Sequence, residues 1–340
     1  DSPPGPVQVV ARHRDAAQAR ELLERLQALV EQARGSARYG RAVTEAAATP
    51  DVTVIIPVYN TMPYLTACLQ SMVDQTIGAD RMEVVAVDDG STDGCADELD
   101  RFATAHPGLF HVLHQENSGG PASPCNRGLE VARGRYVFFI GADDYLADNA
   151  LEKLVDAADA WESDVIWGKV EGVGGRGISQ LMFDRTRKDI PFPDSKLPFA
   201  LANSKMFRRS LVEEHGLRYP LDLRVGSDQP FTIAAMLHAR RISVLADQTY
   251  YYGVRREDAT NITYSSSWKA RLEDIGSVMD HVAEIVGPGE KRDRIFTCTR
   301  APLAGGDDVN QLGARATKPA ATTSRLLPTV TRRLRGSARR

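Results

Sequence analysis

A chain of 340 residues, of which 42% are hydrophobic and 26% charged, can bury a full core and should form one large domain with appendages. The formal net charge of −3 argues against a nucleic-acid-binding protein, because such domains usually carry a strong positive excess. No apolar run in the sequence approaches the ~20 residues of a membrane span.

The four cysteines lie far apart, without a C-x-x-C pair and without a histidine at the spacing of a zinc site. They are Cys68, Cys95, Cys125 and Cys298. We interpret them as free thiols in a reducing compartment. The N-terminal residues lack the charged and then apolar pattern of a secretion signal. Both features predict a cytoplasmic location.

Residues 1–50 should form a loose proline-rich start, an amphipathic helix over 14–34 and a linker. Leu22, Leu26 and Leu29 recur at helical spacing among polar residues. The simpler interpretation is that this helix packs on the main domain. The alternative is a coiled-coil dimer, which a stripe of about three turns supports less well.

The pattern of residues 51–260 predicts one α/β domain. Apolar runs at 52–58, 83–87, 109–113 and 136–140 alternate with helical patterns. This alternation predicts a doubly wound, mainly parallel sheet with right-handed crossovers and helices on both faces. The run 136–140 has no polar alternation, which is typical of a central strand.

Carboxylates follow these strands where they end, so we expect them to gather along one edge of the sheet. Asp143 and Asp144 would repel each other unless a cation lay between them, and Mg²⁺ or Mn²⁺ held by carboxylate and phosphate oxygens is the usual solution. The alternative is that the pair starts a turn or caps the helix near Asp148.

A dinucleotide-dependent dehydrogenase is disfavoured because the turn 58–61 lacks the glycines that let a backbone approach a pyrophosphate. Phosphate binding would instead require a metal and basic side chains. An aromatic residue after the first strand and an acid after the second could stack on a nucleobase and hydrogen-bond it.

Four motifs, in this order and spacing, resemble the signature of family 2 glycosyltransferases with the GT-A fold. They are VIIPVYN at 54–60, VAVDDGSTD at 85–93, NSGG at 117–120 and FIGADDY at 139–145. The resemblance covers about residues 51–256. Within the family, segments 172–183 and 241–257 are most similar to the enzymes that add N-acetylglucosamine to the polyol-phosphate chains of wall teichoic acid.

The resemblance implies a site for a UDP-sugar. Pro57, Tyr59 and Asp89 would hold the uridine, with Asn60 shaping the loop. Further nucleotide contacts would come from the 117–128 motif, through Asn117 and through Arg127.

For the diphosphate, the resemblance implies that Asp144 ligates Mn²⁺ or Mg²⁺ while Asp143 contacts the ribose or the diphosphate beside the metal. Arg255 and Arg256 would close over the diphosphate from a mobile loop. From the residues alone, the two arginines could equally form a solvated surface cluster with Glu257.

The catalytic base implied by the resemblance is Asp228, in the segment VGSDQPF at 225–231. A carboxylate would take the proton of the acceptor hydroxyl as its oxygen attacks the anomeric carbon opposite the leaving diphosphate. The metal offsets charge on the leaving group, so no general acid is needed. Asp228 could also cap the helix that begins near Gln229, and both roles can hold at once.

The sequence departs from the family pattern at several positions. Gly141 replaces the first acid of an Asp-x-Asp-Asp motif, Cys125 replaces a nucleotide-binding arginine, and Ser227 replaces a glutamate before the base. Thr260 or Asn261 stands where a histidine is expected. These departures bear on the identity of the donor more than on the type of reaction.

Beyond the catalytic domain, 261–300 should be a helical segment, with helical spacing over 267–284, and 301–340 a disordered tail. From Arg315 onward every charged residue is basic. The tail is either simply solvated or a patch that attracts an anionic polymer or the inner face of the membrane.

We therefore expect an inverting, metal-dependent transferase that moves a sugar from a UDP-sugar to a hydroxyl of an anionic cell-wall glycopolymer. The alternative is a protein of the same fold that binds a nucleotide-sugar or glycan without turnover. A nucleotidyltransferase is less favoured, because the expected Gly- and Arg-rich phosphate loop is missing near the first strand.

Overall fold

The structure is a computed structural model that describes residues 49–257, 261 and 268–303, all within the unit that runs from Thr49 onward. The predicted helix at 14–34 and the tail beyond residue 303 lie outside the described residues. Of the helices in the described part of the chain, none is long and apolar enough to cross a bilayer.

The first half of the domain alternates strand and helix as the apolar runs predict. Its elements are β1 (Val52–Val58), α1 (Tyr64–Val73), β2 (Met82–Asp88), α2 (Cys95–Ala105), β3 (Phe110–His114), α3 (Ala122–Val131) and β4 (Tyr136–Phe139).

The second half adds short strands and two long ones. Its elements are β5 (Tyr145–Leu146), α4 (Ala150–Ala160), β6 (Val165–Val173), β7 (Met206–Arg208), α5 (Arg209–Glu214), α6 (Asp228–His238), β8 (Ile242–Val254), α7 (Trp268–Ile285) and α8 (Glu290–Leu303). The helix predicted over 267–284 is α7, and α8 lies mostly within the predicted helical segment 261–300.

Within the described residues, the strands join one eight-stranded sheet in the order β3-β2-β1-β4-β7-β6-β8-β5. Strands β1 to β4 are parallel, as are β6 and β8, while β7 and β5 pair antiparallel with their neighbours. The sheet is therefore mainly parallel, as predicted, with antiparallel strands inserted at β7 and added at the β5 edge.

The packing of α3 on β1 depends on Gly128. A Cβ at this position would lie 2.5 Å from Cγ2 of Ile55, which is closer than carbon atoms approach without a clash. The absent side chain lets the helix lie directly on the strand, and that helix carries the polar segment 117–121 at its N-terminal end.

The opposite end of the sheet is held by a buried carboxylate. Glu83 accepts hydrogen bonds from Thr53 Oγ1 at 2.6 Å and from the amide of Arg133 at 2.7 Å. Thr53 Oγ1 in turn accepts from the amide of Gly134 at 2.8 Å. This network fixes the entry into β4 against β1 and β2.

Candidate active site

The carboxyl ends of three parallel strands meet at one edge of the sheet. Val58 of β1 pairs with Asp88 of β2, and Ile55 of β1 pairs with Phe139 of β4. The polar segments that follow these strands therefore lie side by side, as the sequence predicts.

Asp89, which follows β2, is buried and fully hydrogen-bonded. Its carboxylate accepts from Gln115 Nε2 at 2.5 Å, from Ser118 Oγ at 2.9 Å and from the Ser118 amide at 3.1 Å. Its main-chain oxygen accepts from Asn117 Nδ2 at 3.0 Å. Asp89 thus joins the end of β2 to the segment 115–118. The recorded hydrogen-bond donors to its carboxylate are neutral groups.

The loop after β1 is fixed to the loop after β2 through Asn60, which has a left-handed φ of 45°. Its Oδ1 accepts from the Thr92 amide at 2.8 Å, and its own amide donates to Ser91 Oγ at 3.1 Å. Asparagine tolerates this conformation better than most residues. Pro57 lies near the end of β1, and the neighbouring Tyr59 is 49% exposed at the edge.

Arg127 lies on α3 and reaches the end of β3. Its Nη1 donates to the His114 carbonyl at 2.8 Å and to Gln115 Oε1 at 3.3 Å. It therefore supports the same Gln115 that binds Asp89, at the Asp89 end of the edge.

Asp144 is buried at the end of the β4 segment and is held by residues from the second half of the domain. Its Oδ1 accepts from Arg176 Nη1 at 2.9 Å and from the Val254 amide at 2.7 Å, and its Oδ2 accepts from the Tyr251 hydroxyl. Burial raises the pKa of Asp144 to about 6, although Arg176 and these hydrogen bonds oppose the rise.

Asp143 has its own cationic partner. Arg256 Nε donates to Asp143 Oδ2 at 2.9 Å, and Asn261 Nδ2 donates to the same oxygen at 2.6 Å. Arg256 Nη1 also donates to the Asn60 carbonyl at 3.2 Å, so this arginine links the acidic pair to the loop after β1. The amide of Arg255 donates to the Val173 carbonyl at 3.0 Å.

The acidic pair offers the hard oxygen ligands that Mg²⁺ and Mn²⁺ prefer. Oδ1 of Asp143 and Oδ2 of Asp144 each lie 3.0 Å from the point where a Cβ of Gly141 would stand, so the two oxygens face one place. Within the described residues, no group of three or more His, Cys, Asp or Glu side chains could hold a metal. The two carboxylates would leave several coordination positions of such an ion to phosphate and water oxygens.

Asp228 is the first residue of α6, and the cap position before it is Ser227. Burial raises the pKa of Asp228, while the charge of Lys205 and the main-chain amides of Asn203 and Gln229 oppose the rise. Asp228 thus begins the helix and does not occupy the cap position that the capping alternative gives it.

A cavity of about 360 Å³ lies between the segment 118–123 and the segment 221–224. The first of these segments holds Asp89 through Ser118, and the second leads directly into Asp228. The two walls of the cavity therefore come from the nucleotide motif and from the segment of the candidate base.

Several residues of the site carry no role in the sequence interpretation. They are Gln115, Ser118, Arg176, Lys205 and Tyr251. Arg176 and Tyr251 lie in segments that the resemblance singles out, but their contact with Asp144 spans 32 and 107 residues of sequence. No local pattern could have revealed these pairings.

Two of the departures from the family pattern have visible surroundings. The Cys125 thiol is buried, and burial raises its pKa, so it offers no charge to a ligand. Asn261, which stands near the expected histidine, donates to Asp143.

Residues 53–216 match the sequence model of the family described as Glycosyl transferase family 2, so this segment is a domain of that family. Among its relatives is a poly(ribitol-phosphate) beta-glucosyltransferase of Bacillus spizizenii, 35% identical over 67% of this chain and 36% of the relative. Another is the poly(ribitol-phosphate) beta-N-acetylglucosaminyltransferase TarS of Staphylococcus aureus, 36% identical over 68% of this chain and 39% of the relative.

The structure of S. aureus TarS 1–349 in complex with UDP-GlcNAc superposes with a TM-score of 0.69 at 29% identity, covering 82% of this chain and 77% of that one. This likeness confirms the predicted GT-A fold. The chain spans little more than a third of the length of the two full relatives.

Proposed function

We propose that this protein is an inverting, metal-dependent glycosyltransferase that moves a sugar from a UDP-sugar to a hydroxyl of a polyol-phosphate polymer such as teichoic acid. N-acetylglucosamine or another hexose is the proposed sugar. The names of the relatives and the UDP-GlcNAc complex of TarS support this assignment. The observation that carries it is the gathering of Asp89, Asp143 and Asp144 at one edge of the sheet.

The uridine would bind beside the end of β1 and β2. The exposed ring of Tyr59 can stack on the base, and Pro57 would contribute from the end of β1. The loop that Asn60 fixes follows Tyr59 directly. Asp89 and Asn117 would hydrogen-bond the nucleoside. Since the Asp89 carboxylate already binds Gln115 and Ser118, it is held in one orientation before the ligand arrives.

The diphosphate would lie over the acidic pair. Asp144 and Asp143 would hold a divalent ion, which would offset the negative charge that develops on the leaving diphosphate. Arg256 already lies at the acidic pair, so a small shift of its side chain would bring its guanidinium onto a phosphate oxygen. Arg255 would contribute from the neighbouring position, and Arg127 would support the nucleotide motif through Gln115.

Asp228 would act as the general base. It would accept the proton of the acceptor hydroxyl while the hydroxyl oxygen attacks the anomeric carbon from the side opposite the diphosphate. Its position as the first residue of α6 places it at the end of that helix. The cavity between 118–123 and 221–224 gives an acceptor access to this segment.

The proposed acceptor is anionic, and a basic tail would favour its approach or the approach of an anionic membrane surface. The tail residues from Arg315 onward lie outside the described residues, as does the helix proposed for dimerisation. Peripheral membrane association and oligomerisation therefore stay predictions of the sequence.

Calorimetric titration of the purified protein with a panel of UDP-sugars, with Mn²⁺ and with a chelator, tests donor binding. We expect one UDP-sugar to bind in a metal-dependent way. Asp144→Ala should abolish this binding, whereas Asp148→Ala, an exposed acid four residues further on, should retain it. If no UDP-sugar binds with or without metal, the proposed donor site is wrong.

Asp228→Asn separates catalysis from binding. We expect this variant to bind the donor with unchanged affinity and to lose turnover by about 10²-fold or more, because the general base is removed. If the native protein binds a UDP-sugar but transfers it to no polyol-phosphate acceptor, the alternative of a binding protein gains support.

A further inference from the structure

The turn after β6, at residues 172–177, is built around glycines. A Cβ at Gly172 would stand 1.8 Å from the Arg176 carbonyl oxygen, so only a hydrogen atom fits there. Gly174 has a left-handed φ of 64°, which glycine adopts without steric cost. The Arg176 amide donates to the Val173 carbonyl at 3.3 Å and closes the turn. The backbone of this turn thus depends on glycine, and the turn carries the long side chain of Arg176.

Arg176 reaches from this turn to the acidic pair. Its Nη1 donates to Asp144 Oδ1 at 2.9 Å and to the Val254 carbonyl at 3.1 Å. The side chain lies directly on Gly253 of β8, where a Cβ would stand 3.4 Å from Cδ and 3.5 Å from Nε of the arginine. The position of the guanidinium is therefore set by the turn on one side and by the end of β8 on the other.

The two oxygens of Asp144 have different surroundings. Oδ1 accepts from Arg176 at 2.9 Å and from the Val254 amide at 2.7 Å, which uses both of its lone pairs. Oδ2 lies 3.0 Å from the point where a Cβ of Gly141 would stand, as does Oδ1 of Asp143. A cation shared by the two acids would therefore meet Oδ2 of Asp144 rather than Oδ1.

The negative charges of the acidic pair are offset within the protein. Asp144 pairs with Arg176 at 2.9 Å, and Asp143 pairs with Arg256 at 2.9 Å. A divalent cation at these acids would lie near two guanidinium groups, whose positive charges oppose its binding. A diphosphate brings compensating negative charge and further oxygen ligands. The site therefore suits an ion and a diphosphate together better than an ion alone.

We propose that Arg176 is a positioning residue for Asp144 that makes binding of the divalent ion depend on the donor diphosphate. Its guanidinium holds Oδ1, leaves Oδ2 to the ion and keeps the affinity for the free ion low. Without a diphosphate the site then binds metal weakly. The inference rests on the metal site of the proposed function and adds the coupling between the two ligands of that site.

Titration with Mn²⁺ alone tests this inference without a sugar donor, because the electron paramagnetic resonance signal reports the unbound ion. Arg176→Gln removes the positive charge and keeps a hydrogen-bond donor. This variant should bind free Mn²⁺ about tenfold more tightly than the native protein. Arg176→Lys retains the charge and should restore the native affinity to within about threefold.

Arg187→Gln is the matched control. Arg187 also joins a carboxylate to a main-chain carbonyl, since it donates to Asp184 and, at 3.1 Å, to the carbonyl of Met182. None of these partners belongs to the acidic pair. The affinity of this variant for free Mn²⁺ should equal that of the native protein.

The effect of UDP on Mn²⁺ binding is the second readout, corrected for the Mn²⁺ that UDP binds in solution. In the native protein UDP should raise the affinity for Mn²⁺ by about tenfold or more. In Arg176→Gln this enhancement should be smaller by the factor that the affinity for free Mn²⁺ has gained, because the ion no longer needs the diphosphate to offset the arginine. A merely structural role of Arg176 would not change this coupling.

Gly172→Ala gives an independent test through the backbone. Its methyl would meet the Arg176 carbonyl oxygen at 1.8 Å, so the turn must shift and move the guanidinium away from Asp144. Free Mn²⁺ should again bind more tightly, whereas Gly177→Ala, whose methyl meets nothing within 4 Å, should bind it as the native protein does.

Two results would overturn the inference, and they differ in what they leave standing. If Arg176→Gln, or Gly172→Ala where only that variant folds, binds free Mn²⁺ no more tightly than the native protein, the coupling role is wrong. Metal-dependent binding of a UDP-sugar by the native protein would then leave the proposed function intact. If neither the native protein nor the variants bind Mn²⁺ with or without UDP, the metal site fails and the proposed metal-dependent function fails with it.

Discussion

Tyr251→Phe is the sharpest test of how the acidic pair is held. Tyr251 is buried, and its hydroxyl donates to Asp144 Oδ2. The hydroxyl oxygen of Tyr251 in turn accepts from the Gly141 amide at 3.3 Å. Phenylalanine keeps the ring and removes only these hydrogen bonds. A hydrogen bond to an ionised group contributes about 1.5–3 kcal/mol, so the variant should lose that much unfolding free energy at pH 7.5.

Urea denaturation in the presence of a chelator measures this loss as a lower midpoint with an unchanged slope, because the exposed surface on unfolding is the same. The pH dependence has a defined sign. The hydroxyl favours the ionised form of Asp144, whose pKa is about 6, so the difference between the variant and the native protein should shrink as the pH falls through 6.

Tyr252→Phe is the matched control for this experiment. Tyr252 is the next residue of β8, is partly exposed, and stacks on Tyr145 with centroids 4.8 Å apart, a contact that phenylalanine retains. It should stay within about 0.5 kcal/mol of the native protein. Equal stabilities of Tyr251→Phe and Tyr252→Phe at pH 7.5 would refute the reasoning, since Asp144 would then not depend on the hydroxyl.

Three further predictions concern the scaffold. Gly128→Ala should destabilise the fold by about 1–3 kcal/mol in denaturant titrations because its methyl would meet Ile55 at 2.5 Å, whereas Gly177→Ala, which meets nothing within 4 Å, should be nearly neutral. Burial raises the pKa of Glu83, but hydrogen bonds from Thr53 and Arg133 outweigh it and lower the pKa overall. The stabilisation of the fold by ionised Glu83 should therefore be present above about pH 4.3 and lost in acid. Glu83→Gln should lower the free energy of unfolding by about 1.5–3 kcal/mol at pH 7 and make it less dependent on pH in the acid range. The buried thiols of Cys68, Cys95 and Cys125 should resist iodoacetamide at pH 8 until urea unfolds the chain. Site-resolved mass spectrometry would measure this resistance.

The parallel half of the domain was predictable because its signals are local. Each strand from β1 to β4 is a short apolar run followed by a polar turn, and the structure moves the predicted bounds of β3 and β4 by only one residue. The placement of Asp89, Asp143 and Asp144 along one edge then follows from the rule that the carboxyl ends of parallel strands lie at the same edge of a sheet. Sequence reasoning thus placed these three acids along one edge of the sheet, which is where they lie in the structure.

The partners of those acids were not predictable in the same way. Arg176 reaches Asp144 from the turn after β6, and Tyr251 reaches it from β8. These strands join the sheet out of sequence order, so their register depends on packing that no local period encodes. From the sequence alone, Arg255 and Arg256 could equally contact a diphosphate or belong to a solvated surface cluster.

Gly141 lies beside two carboxylates that are each already paired with an arginine. Asp143 pairs with Arg256 and Asp144 pairs with Arg176, so each carboxylate already has a guanidinium beside it. An aspartate at 141 would place its Cβ 3.0 Å from an oxygen of both carboxylates, and its charge would have to be accommodated beside theirs. Because Gly141 leaves this space open, the oxygens that face it can share a cation with an incoming diphosphate. The residue that looks like a missing ligand in the sequence is, in the structure, what leaves room beside an oxygen of each remaining acid.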